Sequence, residues 1–128
     1  MKKIYHLKHF NIPFYRGYLV VILTDDTERI NKMLSVNFEN IYGYTIYDAY
    51  RGQQGFFIVL NPNSSFRNMT HGTIAHEAYH ATGFSAIRRG ITADFDNDEP
   101  LAYLADWITD KVYETFNHFK LLSSIKLK

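Results

Sequence analysis

The sequence predicts an α+β domain in which a small, mainly antiparallel sheet carries helices packed on one face. Three observations predict it. Two runs, residues 17–23 (GYLVVIL) and 56–60 (FFIVL), are short and rich in β-branched and aromatic side chains, as buried strands are. Residues 70–82 and about 98–121 read as helices, the second of them long. The order is strand, helix, two strands, helix, helix, which puts helices beside a sheet rather than alternating with parallel strands.

From the N-terminus, the first sixteen residues mix histidine, lysine and aromatics and form an edge strand or an ordered arm. Residues 17–23 are a buried strand bounded by Gly17 and by Thr24-Asp25. Thr24 or Asp25 caps a helix over about residues 26–36, with Ile30, Met33 and Leu34 as its apolar stripe. Residues 44–51 and 56–60 are two strands of an antiparallel hairpin, joined by a turn over Gly52-Gln53-Gln54-Gly55. Residues 61–65 are loop. Thr70 caps the next helix, which runs to about Thr82 with Gly83 as its stop. Residues 84–97 connect, with a helical turn near 85–89, and the last helix starts near Asp98-Glu99-Pro100. Nothing divides the 128 residues, so a single domain is expected.

Composition narrows the chemistry. The chain has 46% hydrophobic and 21% charged residues, the balance of a globular protein rather than a disordered one. It has no cysteine, which excludes disulfides and thiolate metal sites and leaves His, Asp and Glu as ligands. A net charge of +1 supplies no field to attract nucleic acid, and no apolar run is long enough to span a bilayer. The expectation is a soluble cytoplasmic protein with neither nucleic-acid nor membrane partners. The three lysines of the C-terminal tail read as a solvated, frayed helix end.

One segment carries chemistry: His76-Glu77-Ala78-Tyr79-His80. A helix puts residues i and i+4 on one face, and two imidazoles so placed can reach one tetrahedral zinc ion at roughly 2.0–2.1 Å. Glu77 follows the first ligand directly, beside the position where a metal-bound water would lose a proton. Ile74, Ala75, Ala78 and Ala81 can pack this helix inward. The competing reading places both histidines and Glu77 on a plain solvated face. A third protein ligand is needed, and Glu99 is the candidate. It stands eighteen intervening residues after His80, at the start of a helix that can pack antiparallel to the first. Otherwise Glu99 is only an acid at a helix start.

Tyr103 sits one turn after Glu99. Its hydroxyl can help stabilise an oxyanion, hydrogen-bond a ligand, or simply belong to the core. Asp106, a further turn along, either orients a ligand histidine or faces solvent. His71 is a substrate contact or a loop histidine, and His6, His9 and His118 show no ligand spacing. Asp94, Asp96 and Asp98 have the opening spacing of a calcium loop, but Glu99 stands where its glycine belongs and Ala105 where its bidentate acid belongs, so that motif fails.

HExxH followed after eighteen residues by a glutamate is similar to the gluzincin metallopeptidases. Residues 74–83 (IAHEAYHATG) with 98–104 (DEPLAYL) also resemble small zinc peptidases encoded by phages and prophages. The resemblance covers roughly residues 70–108. It implies a minimal zincin-like domain, zinc held by His76, His80 and Glu99, and Glu77 as catalytic base. It also implies a peptide or protein substrate, held extended against an edge strand for which residues 56–60 are the candidate, and, for a phage-encoded chain, the host cytoplasm as location. Two other functions stay open. One is a non-catalytic, metal-binding regulatory or phage-associated module on the same scaffold. The other is a metal-free regulatory or virion component that uses its ten tyrosines and ten phenylalanines as an interface.

Overall fold

The computed structural model describes residues 4–13, 17–37, 43–50, 53–61, 71–92 and 94–126. Their elements are β1 (Ile4–Asn11), β2 (Tyr18–Thr24), α1 (Thr27–Leu34), β3 (Gly43–Tyr50), β4 (Gln53–Leu60), α2 (His71–Arg88) and α3 (Glu99–Lys126). The strands form one sheet in the order β1-β2-β4-β3. Its outer pairs are antiparallel, but the central pair, β2 with β4, is parallel, with Leu19 opposite Phe56 and Ile22 opposite Val59. The fold is α+β with a mixed sheet.

β2 and β4 are apolar on both sides, and this decides the layering. Leu19, Val21 and Leu23 join Phe56, Ile58 and Leu60 in one core with Ile74, Ala78 and Ala81 of α2 and Leu104, Ile108 and Val112 of α3. The alternate residues Tyr18, Val20, Ile22, Phe57 and Val59 form a second core with Ile30 and Leu34 of α1. The expectation of helices on one face is therefore corrected: α1 covers one face, and α2 with α3 the other. Burying one large apolar side chain contributes about 1.5–3 kcal/mol, so leaving either face open would cost on the order of 10 kcal/mol.

Several boundaries differ from the sequence reading for identifiable reasons. Asp26, not Thr24 or Asp25, caps α1, its carboxylate accepting from Arg29 N at 3.2 Å. Thr24 Oγ1 instead accepts from Asp26 N at 2.9 Å, and Asp25 accepts from the Tyr5 hydroxyl at 2.8 Å. Met33 is exposed, because Ile30 and Leu34 alone suffice as the buried i, i+4 pair. Gln53, Gln54 and Gly55 belong to β4 rather than to a turn. Gly55 is there for close approach, since a Cβ would overlap the Tyr18 ring. Thr70 and residues 62–65, expected as helix cap and loop, lie outside the described residues.

Gly83 does not stop α2. The helix continues to Arg88 and ends at Gly90, whose φ of +68° is the left-handed conformation glycine tolerates. Gly90 N donates to Ile87 O at 3.2 Å and Ile91 N to Ala86 O at 2.9 Å, the paired bonds of a Schellman termination. Asp98 opens α3 by accepting from Ala102 N through its carbonyl at 2.8 Å. Pro100 lies in the first turn, where its missing N–H leaves no gap in the ladder. Among the described residues, no helix is long and apolar enough to cross a membrane.

Candidate metal centre

α2 places the three motif residues on two sides of one helix. His76 and His80 are exposed, and their Nε2 atoms stand 3.1 Å apart. Two nitrogens bound to one tetrahedral zinc ion are separated by about 3.3 Å, so the pair is spaced as chelating imidazoles are. His80 is further fixed by Phe84, one turn on, whose ring stacks on it at 6.2 Å between centroids and 21° between planes. At that distance one ring Nε2–H can donate to the other Nε2, and with both Nε2 atoms free to accept, the same pair can hold a metal ion between them.

Glu77 points elsewhere. One residue step turns a helix by about 100°, which carries its side chain from the histidine face to the β3 side, where it is only 5% exposed. There Thr45 Oγ1 donates to Glu77 Oε1 at 2.7 Å and also lies 3.1 Å from the Glu77 carbonyl. Thr45 is itself buried. β3 is an edge of the sheet, so this carboxylate sits beside an edge strand. Residues 56–60, the strand expected to pair with substrate, are paired on both sides, with β2 and with β3. Their backbone is used, and that role can pass only to an edge.

α2 and α3 run antiparallel. His71 at the start of α2 meets Tyr113 far along α3, through ring nitrogen and hydroxyl. Gly83 and Ala86 near the end of α2 share a pocket with Leu101 and Ala102 at the start of α3. His71 is thus the first residue of α2 and ties the two helices together. The same arrangement sets Glu99. α2 continues eight residues beyond His80, and residues 89–98 join it to the start of α3 at Glu99. Among the described residues, no group of three His, Asp or Glu side chains stands close enough to hold a metal ion. The histidines are brought together, and Glu99 is not brought to them.

Tyr103 is 68% exposed, which removes its reading as core. It lies one turn before Trp107, whose ring packs edge-on against Phe10 of β1 at 6.4 Å, so it occupies the edge of α3 nearer β1 than α2. Asp106 is exposed. Asp94 Oδ1 accepts from Asp96 N at 3.0 Å in an exposed turn ahead of α3.

Two features carried no signal in the sequence. Thr45 is thirty-two residues from the carboxylate it holds. His6 and His118, from opposite ends of the chain, meet edge to face at 5.0 Å. The His6 Nε2 is buried and has no hydrogen-bond partner among the described residues. Burial holds the His6 pKa below its ordinary value, with the charges of His118 and Lys8 acting in the same direction. No protein family, no curated protein and no solved structure matches the chain.

Proposed function

We propose that this chain is a zinc-dependent metallopeptidase of the gluzincin type, acting on exposed peptide segments. His76 and His80 are the first two ligands, Glu99 the third, and Glu77 the general base. The observation that carries the proposal is the 3.1 Å convergence of the two Nε2 atoms on an exposed helix face. A zinc ion there would supply a Lewis acid and a water acidic enough to deprotonate near neutrality. The pair fits two ligand positions. The third requires the first turn of α3 to approach the histidine face.

The chain's own residues supply the rest. Thr45 fixes one oxygen of Glu77, leaving the other to take a proton. β3 offers an edge to which an extended peptide can add as a further strand, bringing its carbonyls alongside Glu77. The exposed Tyr103 keeps its proposed role as oxyanion donor only if α3 moves with Glu99. In this reading the protein works in the cytoplasm, the host's if it is phage-encoded.

One observation favours a second reading. A carboxylate buried and tied to its neighbouring strand is also a structural fixture, which suits a metal-binding module without catalysis. Two measurements separate them: the metal content of untagged protein beside His76→Ala, and cleavage of a peptide mixture beside Glu77→Gln. The peptidase predicts one zinc per chain, lost in the first variant, and hydrolysis lost in the second while zinc stays. Zinc with no hydrolysis by the unaltered protein leaves the binding module.

A further inference from the structure

Beside the histidine pair the chain keeps an apolar cavity of about 400 Å³ between α2, α3 and the segment that joins them. Its walls include Tyr79, Ile87 and Phe95, all of them largely exposed. Tyr79 immediately precedes His80, with ring centroids 6.4 Å apart, so one wall of the cavity adjoins the histidine pair.

Gly83 explains why the space is open. It lies inside α2, where glycine is a poor helix former. It does not terminate the helix, and its φ is not among the positive ones. A Cβ built on it meets nothing within 4 Å. No steric demand of the fold therefore calls for glycine here. What its missing side chain does is leave room in the cavity.

The rim is charged. Asp94 and Asp98 line the cavity, and no lysine or arginine among the described residues does. An apolar hole with two carboxylates in its lining is complementary to one kind of ligand, a bulky apolar group joined to a cation. At about 400 Å³ the space is near the lower end for ligand pockets and suits one large side chain rather than a folded partner.

We infer that this cavity binds a peptide through one aromatic or long aliphatic side chain, with an adjacent lysine or arginine held by Asp94 and Asp98. That the bound peptide is the substrate rests on the metallopeptidase reading; the binding itself does not. The pocket would then select sequences in which a bulky apolar residue neighbours a basic one.

The test is calorimetric titration of the whole protein in EDTA, where metal-dependent cleavage is suppressed. The probes are capped alanine hexapeptides with a central Phe-Arg, Phe-Glu or Ala-Arg pair. The Phe-Arg peptide should bind at least about ten-fold more tightly than either control. Gly83→Leu, which grows a side chain into the space, should abolish that preference while keeping the native circular dichroism. Asp94→Asn with Asp98→Asn, the first exposed and the second half-buried, should erase only the preference for Arg over Glu. Equal binding of the three peptides, or undiminished binding by Gly83→Leu, overturns the assignment. With zinc restored, the two proposals fail separately. Selective binding without hydrolysis supports the pocket and removes the peptidase. Hydrolysis without preference among the three peptides overturns the pocket and leaves the peptidase.

Discussion

Thr45 donates a hydrogen bond to Glu77 Oε1 at 2.7 Å, joining the edge strand β3 to the motif helix α2 where both side chains are largely buried. A buried hydrogen bond contributes about 0.5–1.5 kcal/mol net, and stripping the donor while leaving its acceptor buried and unsatisfied costs about 1–3 kcal/mol. Thr45→Val preserves shape and removes only the donor. Its expected destabilisation is about 1–3 kcal/mol in urea unfolding, with Thr45→Ser close to the unaltered protein. A Val variant as stable as the parent would show that Glu77 is not held by this bond. If Glu77 is the base, Thr45→Val should also reduce turnover more than it weakens peptide binding, because it frees the carboxylate to turn.

Zinc should stabilise the fold through the exposed histidine pair. A ligand that binds only the folded chain raises stability by about 2.7 kcal/mol at one hundred times its dissociation constant. Thermal unfolding should therefore shift upward in zinc relative to EDTA. His76→Ala and His80→Ala should each remove the shift, since one imidazole cannot chelate. A shift that persists in both variants places the metal elsewhere.

The α+β class and the central strands were legible in the sequence; the layering, expected with helices on one face only, and the long-range contacts were not. The runs 17–23 and 56–60 were visible as strands because they are apolar throughout. That same property, buried on both faces, was the signal that α1 must lie across the sheet from α2 and α3. The i, i+4 histidines were legible because helical periodicity alone brings them together. Glu99 was a different kind of expectation. It depended on where α2 ends, and Gly83 looked like a stop although a helix interior tolerates it. α2 in fact runs to Arg88, and the path of residues 89–98, which no local pattern specifies, sets where α3 begins. Thr45 beside Glu77 and His6 beside His118 are set by tertiary packing, and no local pattern announces either.

His6 should make stability depend on pH in a definite direction. Its folded pKa lies below the ordinary value of 6.5, chiefly because burial disfavours the charged ring. As pH falls through that ordinary value, the unfolded chain takes up a proton before the folded chain does. Stability therefore declines from about pH 6.5 downward and levels off once pH passes below the folded pKa. Above about 6.5 both states are neutral at this site and the contribution is flat. Urea unfolding at pH 7.5 and at pH 5 should show a smaller loss for His6→Leu than for the parent. An identical pH response in both would remove His6 as a source of it.

Gly83 and Gly90 sit seven positions apart and should respond oppositely to the same substitution. At Gly83 the backbone is helical and a Cβ meets nothing within 4 Å. Alanine there should stabilise by roughly 0.5–1 kcal/mol, because it restricts the unfolded chain and favours the helix. At Gly90 φ is +68°, and the N–H groups of Gly90 and Ile91 close the end of α2 on Ile87 and Ala86. An L side chain in that conformation costs about 1–2 kcal/mol, so Gly90→Ala should destabilise by that amount even though space is open around it. Two-state urea unfolding of both variants measures the pair. Destabilisation at Gly83 would mean that the helix does not run through it.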